Sequence, residues 1–128
     1  MTLATTNQDK AMGHYLKASY EVFLKDYVGA KKSANNALSL DPNSADAYNM
    51  LSFIAGAESN NELSLQYAEK ALAIDPNNAM AHNLLGIAYN YKGWYALSVT
   101  EMEKAISLDP NKAYYKANLR TIKSQVAQ

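Results

Sequence analysis

The tetrapeptide Leu40-Asp41-Pro42-Asn43 returns as Ile74-Asp75-Pro76-Asn77 and again as Leu108-Asp109-Pro110-Asn111. The three prolines stand at 42, 76 and 110, so both intervals are 34 residues (76 − 42 and 110 − 76). A fixed period of this length marks a stacked array, in which each unit buries its apolar side only against its neighbours. Every other residue can then be indexed to a position within a unit.

Proline lacks a backbone donor and disfavours helical geometry in the residue before it, so each Asp-Pro closes a helix. Counting from the third residue after a proline gives units of about 11–44, 45–78 and 79–112, with a half unit at about 113–126. In unit one, Leu16, Tyr20, Phe23, Leu24 and Tyr27 recur at helical spacing and mark one apolar face of a helix from about Ala11. A turn at Lys25-Asp26 leads to a second helix through Ala30, Ala34, Ala37 and Leu38. Unit two reads as a helix from Ala45 to Ala57, a turn at Ser59-Asn60-Asn61 and a helix from Glu62 to Ile74, with Ser44 and Asn61 as N-caps. Unit three reads as Ala79 to Tyr91, a turn at Lys92-Gly93 with the left-handed residue at Gly93, and Tyr95 to Leu108. The seventh helix, about Ala113 to Val126, has Tyr115, Leu119, Ile122 and Val126 on one face and Lys112, Lys116, Arg120 and Lys123 on another. An apolar face toward the stack and a charged face toward water is what a capping helix requires. The basic stripe has two readings, a solubilising cap and a contact for an acidic partner.

The chain resembles the tetratricopeptide repeat family, whose pattern has an aromatic, Leu-Gly and Tyr in the first helix, and Ala, an aromatic, Ala and Pro in the second. Unit three carries it best, with Leu85-Gly86, Tyr89, Gly93, Tyr95, Ala105 and Pro110 in place. Small residues recur in register as Ala18, Ala30 and Ala37, as Ser52, Ser64 and Ala71, and as Gly86, Ser98 and Ala105. At these sites the two helices of a hairpin approach closely, so bulk should force them apart. Unit one departs from the pattern: Lys17 and Glu21 fall where Leu and Tyr are expected, while Leu16 and Tyr20 sit one residue early. Either its first helix is rotated or its N-terminal edge packs differently. The resemblance implies an all-α fold, a right-handed superhelical array of antiparallel helix hairpins with about seven helices. Its reach is residues 11–128 as one domain, preceded by a polar, flexible segment at residues 1–10.

The resemblance further implies that the first helices line a concave groove that holds a peptide or partner helix. The groove positions are the second, fifth, sixth, ninth, twelfth and thirteenth of each unit. They place Met12, Tyr15, Leu16 and Ser19 there from unit one, and Asn49, Met50, Phe53 and Gly56 from unit two. Unit three adds Met80, Asn83, Leu84, Ile87, Asn90 and Tyr91, and the half unit Tyr114, Ala117 and Asn118. No Lys or Arg is among them, which argues against a clamp for a carboxylate tail. Apolar side chains interspersed with amides suit the apolar side of a peptide, with the amides catching its backbone, and methionine adapts to varied partners. Two alternatives stand beside this: Met50, Phe53, Leu84 and Ile87 pack between units, or the groove is covered by residues 1–10 or by another copy. Trp94, where the family has a polar residue, is either a contact site or a cover over the hairpin's open end.

Twelve basic and twelve acidic side chains cancel, so no global field recruits nucleic acid or an anionic membrane. The acidic excess lies in residues 45–78, with one Lys against five acids, and the basic excess in residues 79–128, with six against three. Cysteine is absent, which removes disulfides, thiolate metal sites and a Cys nucleophile together. His14 and His82 lie two units apart with no carboxylate at ligand spacing, and the five glycines at 13, 29, 56, 86 and 93 form no phosphate loop. The expectation is a non-enzymatic module without cofactor or metal, with a protein or peptide partner. Its alternative is a scaffold that stacks on copies of itself. Met1 to Lys10 lacks the apolar core of a signal peptide and no run is long enough to span a membrane, so a cytoplasmic chain is expected.

Overall fold

The computed structural model describes residues 6–127. These form seven helices and no strand: α1 (Asn7–Phe23), α2 (Tyr27–Leu40), α3 (Ala45–Ala57), α4 (Asn61–Ile74), α5 (Ala79–Tyr91), α6 (Tyr95–Leu108) and α7 (Ala113–Val126). Six of the seven helix starts follow the 34-residue index, and the first does not. Helix α1 begins four residues ahead of the expected Ala11, because Thr6 and Asp9 form a reciprocal capping box. The Thr6 hydroxyl accepts from the Asp9 N–H, and the Asp9 carboxylate accepts from the Thr6 N–H, each at 3.0 Å. Of the segment expected to be flexible, residues 7–10 are therefore helical, and residues 1–5 lie outside the described residues.

Each unit closes in the same way. The N–H groups of Asp41, Asp75 and Asp109 reach back to the carbonyls of Ala37, Ala71 and Ala105, and the following proline ends the ladder. In the first two turns the Asp carboxylate accepts from the backbone N–H two residues on, at Asn43 and Asn77. The turn inside each hairpin is also periodic, with left-handed residues at Lys25, Ser59 and Gly93. Only the third uses glycine; Lys25 and Ser59 carry a strain of about 1–3 kcal/mol each, offset by the capping residues that follow. Asp26 accepts from the Gly29 N–H and Asn60 from the Leu63 N–H. The cap of α4 is thus Asn60, one residue before the expected Asn61, since the left-handed Ser59 sets where the new helix starts. Ser44 caps α3 as expected, through the Ala47 N–H.

The nine small positions are buried as the sequence requires. In unit two the Ser52 hydroxyl donates to the Ser64 carbonyl at 2.7 Å, and in unit three the Ser98 hydroxyl donates to the Gly86 carbonyl at 2.6 Å. Backbone is that close because the residues between have almost no side chain. In unit one Ala18 and Ala30 are fully enclosed, so α1 keeps the common register and is not rotated. The consequence corrects the expected apolar face: Leu16, Tyr20, Phe23 and Leu24 point outward and are exposed. Glu21, at the family's tyrosine position, instead accepts from the Ser33 hydroxyl on α2 at 2.5 Å.

Between units the core is a series of seams rather than one centre. Ala18, Ala34 and Leu51, with Leu38, Met50 and Tyr67, join units one and two. Leu65, Ala68, Leu84, Leu85 and Ala88, with Leu72 and Tyr89, join units two and three. Exposed ion pairs cross the same junctions, Lys31 with Glu58 at 2.9 Å and Lys92 with Glu62 at 2.6 Å. Such pairs contribute at most about 1 kcal/mol each, against about 1.5–3 kcal/mol for each buried Leu or Ile, so the apolar seams dominate the stacking. On α7, Tyr115 and Ile122 are buried and Leu119 half-buried. Val126 is exposed, at the edge of a depression that it lines with Tyr95, Ala96 and Val99 of α6.

A β-carbon at Gly86 would stand 3.1 Å from Met102 and 3.2 Å from the Ser98 carbonyl, both in the closed α5–α6 contact. Gly86→Val should therefore lower stability by about 1–3 kcal/mol in urea denaturation despite the gain in helix propensity; an unchanged midpoint would mean that the pair has room to open.

Candidate functional site

The first helices α1, α3, α5 and α7 pack side by side, whereas the second helices α2, α4 and α6 do not touch one another. The stack therefore curves with its first helices on the inner side. On that side Tyr15, Ser19 and Val22 of α1, Asn49, Met50 and Phe53 of α3, and Met80 of α5 enclose a cavity of about 240 Å³. No Lys or Arg lines it.

This cavity gathers six of the residues indexed to the groove, Tyr15, Ser19, Asn49, Met50, Phe53 and Met80. Phe53 is 47% exposed at its rim. Val22 completes the wall; it stands at the twelfth position of unit one, so the repeat index could have found it. Next to the cavity lies a polar depression that shares Tyr15, Asn49 and Met80 and adds Asp46, Asp75, Asp109 and Lys112. Three carboxylates against one ammonium give that margin an acidic character. Burial first, and then the nearby Asp46 carboxylate, push the Tyr15 hydroxyl pKa above its ordinary value.

Other indexed residues serve the joints. Leu84 is 4% exposed and belongs to the seam between α4 and α5, not to the groove. Asn83 is 2% exposed, and its side-chain oxygen accepts from the Asn118 amide at 3.1 Å, tying α5 to α7. Tyr114 donates to the Met80 sulfur at 3.5 Å, one unit away. Ile87 is half-buried, while Met12 and Tyr91 are exposed outside the cavity. Amides that sequence alone presents as ligand contacts are in part consumed holding adjacent helices together.

Asn49 is the informative exception. Its amide donates to the Asn78 side chain at 3.0 Å, but its oxygen, buried at 7% residue exposure, has no partner. The Asn90 side-chain oxygen is in the same condition. A buried acceptor without a donor costs about 1–3 kcal/mol, and two of them stand at groove positions.

The histidines also resolve. His82, with no carboxylate near it in sequence, has Glu101 Oε2 2.6 Å from Nδ1 and the Pro76 carbonyl 2.9 Å from Nε2. It fastens the inter-unit turn to α6, a structural role that a spacing of 19 residues conceals. Trp94 takes the position of the capping residues Asp26 and Asn60 and makes no side-chain cap. It leans on Tyr89 at 5.7 Å and lies under the Lys92 ammonium at 4.8 Å, half-exposed over the open end of the hairpin. Of the basic stripe, Lys123 approaches Glu103 at 3.8 Å, Lys112 lies in the depression with the three aspartates, and Lys116 and Arg120 are exposed.

Two tetratricopeptide repeat profiles match the sequence, over residues 45–78 and 67–99. Residues 45–99 thus carry tetratricopeptide repeats, and the rest of the described chain continues the same helical repeat. The two matches overlap in different frames, as a strict period allows. Solved tetratricopeptide structures superpose along nearly the whole chain. The domain of Sgt2 from Aspergillus fumigatus has a TM-score of 0.85 at 21% identity, covering 99% of this chain and 85% of that one. The first such domain of Spaghetti (RPAP3), bound to the HSP90 peptide SRMEEVD, has a TM-score of 0.83 at 16% identity, covering 96% and 98%. Pseudomonas aeruginosa pilF has a TM-score of 0.85 at 24% identity, covering 94% of this chain and 55% of that one. At these identities the likeness is one of fold. Comparison with curated proteins finds no match. None of the described helices is long and apolar enough to cross a membrane.

Tyr115 is buried, and its hydroxyl pKa is raised well above the ordinary value, first by burial and then by Tyr114. The unfolded chain therefore loses this proton near pH 10 while the folded chain still holds it, so stability falls as pH rises beyond about 10. Tyr115→Phe should flatten that fall in denaturation midpoints measured above about pH 10; an equally steep decline would place the alkaline sensitivity elsewhere.

Proposed function

We propose that the chain is a protein-interaction module that takes a partner's peptide segment across the inner face of the stack. The segment inserts an apolar side chain between Tyr15, Val22, Met50, Phe53 and Met80. The observation that supports this most is the open apolar cavity between α1, α3 and α5, with Phe53 47% exposed at its rim. A peptide can present an apolar anchor to such a groove.

The chemistry of the rim narrows the partner. With no cation on the cavity, and with Asp46, Asp75 and Asp109 outnumbering Lys112 around the adjoining depression, an acidic tail meets more like charge than counter-charge. A segment with an aromatic or aliphatic anchor beside Lys or Arg fits both parts. The basic residues Lys112, Lys116, Arg120 and Lys123 act on this reading as the solvated side of the cap, with Lys112 moderating the acidic rim.

Panning a displayed random-peptide library against the purified chain should return peptides with an apolar anchor next to a basic residue. Their affinity, read by fluorescence anisotropy, should fall about tenfold or more for Phe53→Glu, a substitution at an exposed position that leaves the fold intact. Binders indifferent to Phe53→Glu would show that this cavity is not the site.

A further inference from the structure

The outward face of the first hairpin does not behave like the other surfaces of the stack. At the tenth position of each unit, Ile54 is 0% and Ala88 1% exposed because the preceding hairpin covers them, whereas Tyr20 is 63% exposed. At the sixth position Leu84 is covered in the same way, and Leu16 is 59% exposed. Among the described residues α1 packs only on α2 and α3, so this flank has no neighbour.

The seam positions carry the argument further. The fourteenth residue of a unit sits at the rim of each interior junction, where Glu58 pairs with Lys31 and Lys92 with Glu62. In unit one that residue is Leu24. The eighteenth position is Glu62 in unit two and Ala96 in unit three, yet Val28 in unit one, 81% exposed. Nothing in the fold demands leucine and valine at places that tolerate charge. Together with Leu16, Tyr20 and Phe23 they make an apolar patch continuous along α1 and onto the start of α2, of the kind that marks an interaction surface.

We infer that this face is a dimer interface, in which a second copy of the chain applies the same face about a two-fold axis with the two α1 helices antiparallel. The stripe Gly13, Leu16, Tyr20, Leu24 advances by three, four and four residues, so it lies along one side of the helix. A β-carbon at Gly13 would meet nothing, leaving room for a partner helix to come close. Antiparallel pairing sets the positive N-terminal end of each α1 dipole beside the negative C-terminal end of the other. It also brings Asp9 and Lys10 at one end of the stripe toward Lys25 and Asp26 of the other copy, opposite charges being available to each in both directions. At the far end the exposed Tyr95 and Val126 lie in a depression between α6 and α7, not on the outer side of α7. Helix α7 turns Lys116, Arg120, Thr121, Lys123, Ser124 and Gln125 to water, so head-to-tail addition would bury charge against the Leu16 and Tyr20 patch. A symmetric pair uses the apolar face twice and closes. The groove, with Tyr15, Ser19 and Val22 on the adjoining side of α1, stays open in such a dimer.

Sedimentation velocity of the full chain over a dilution series tests this. The expected result is a monomer–dimer equilibrium that weakens by about tenfold or more in Tyr20→Glu and in Leu24→Glu, and is unchanged in Leu97→Glu, an exposed apolar position on α6. Circular dichroism should show native helicity in all three, since each altered side chain faces solvent in the single chain. A monomer at every concentration, a dimer indifferent to both substitutions, or growth beyond the dimer would overturn the inference.

Discussion

The structure depends on the close approach of two helices within each hairpin. Ala18 against Ala30, Ser52 against Ser64 and Gly86 against Ser98 let backbones come near enough for a serine hydroxyl to reach the carbonyl of the opposite helix. Such contacts hold crossing angles and helix rotation tightly, because a packed interior yields little to added volume. Once a hairpin is fixed, its outer sides are fixed as well, and stacking follows from whichever of them is apolar. The array is thus built from local geometry outward. Its curvature arises because the first helices meet across units while the second helices do not.

That constraint explains why unit one could change its chemistry without changing its shape. The register of α1 follows from the enclosed Ala18, not from the larger residues around it. Leu16, Tyr20 and Leu24 form the more conspicuous apolar pattern, and it is not the pattern that packs into the hairpin. In the interior units a covered position and an apolar residue coincide, because the preceding hairpin supplies the cover. Among the described residues nothing supplies that cover on the first flank of α1, and the apolar residues there are exposed.

The inner face shows how a repeat divides equivalent residues between structure and recognition. Asn49 and Asn83 occupy the same position in successive units, yet Asn83 is bonded to Asn118 while the Asn49 oxygen is left without a donor. The difference lies in the neighbours: α7 presents an amide to Asn83, whereas the Asn78 oxygen caps α5 and accepts from the Asn49 amide, and the Asn78 amide donates to Asp75 instead of to Asn49. Position in the repeat places a residue on the groove side, and its neighbours decide whether it is available.

The sequence by itself determined the number of units, the ends of most helices and the nine close-contact positions, because proline, small side chains and capping residues act over a few bonds and leave a periodic trace. It also placed Tyr15, Met50, Phe53 and Met80 on one face, through the same period. Only the tertiary structure decided that Leu84 belongs to a seam, that Thr6 and Asp9 extend α1, that His82 meets Glu101, and that the apolar stripe of α1 faces outward. Each of these depends on what stands across a gap in space. Apolar periodicity reports that a helix has an apolar side, and burial depends on whether another helix comes to cover it.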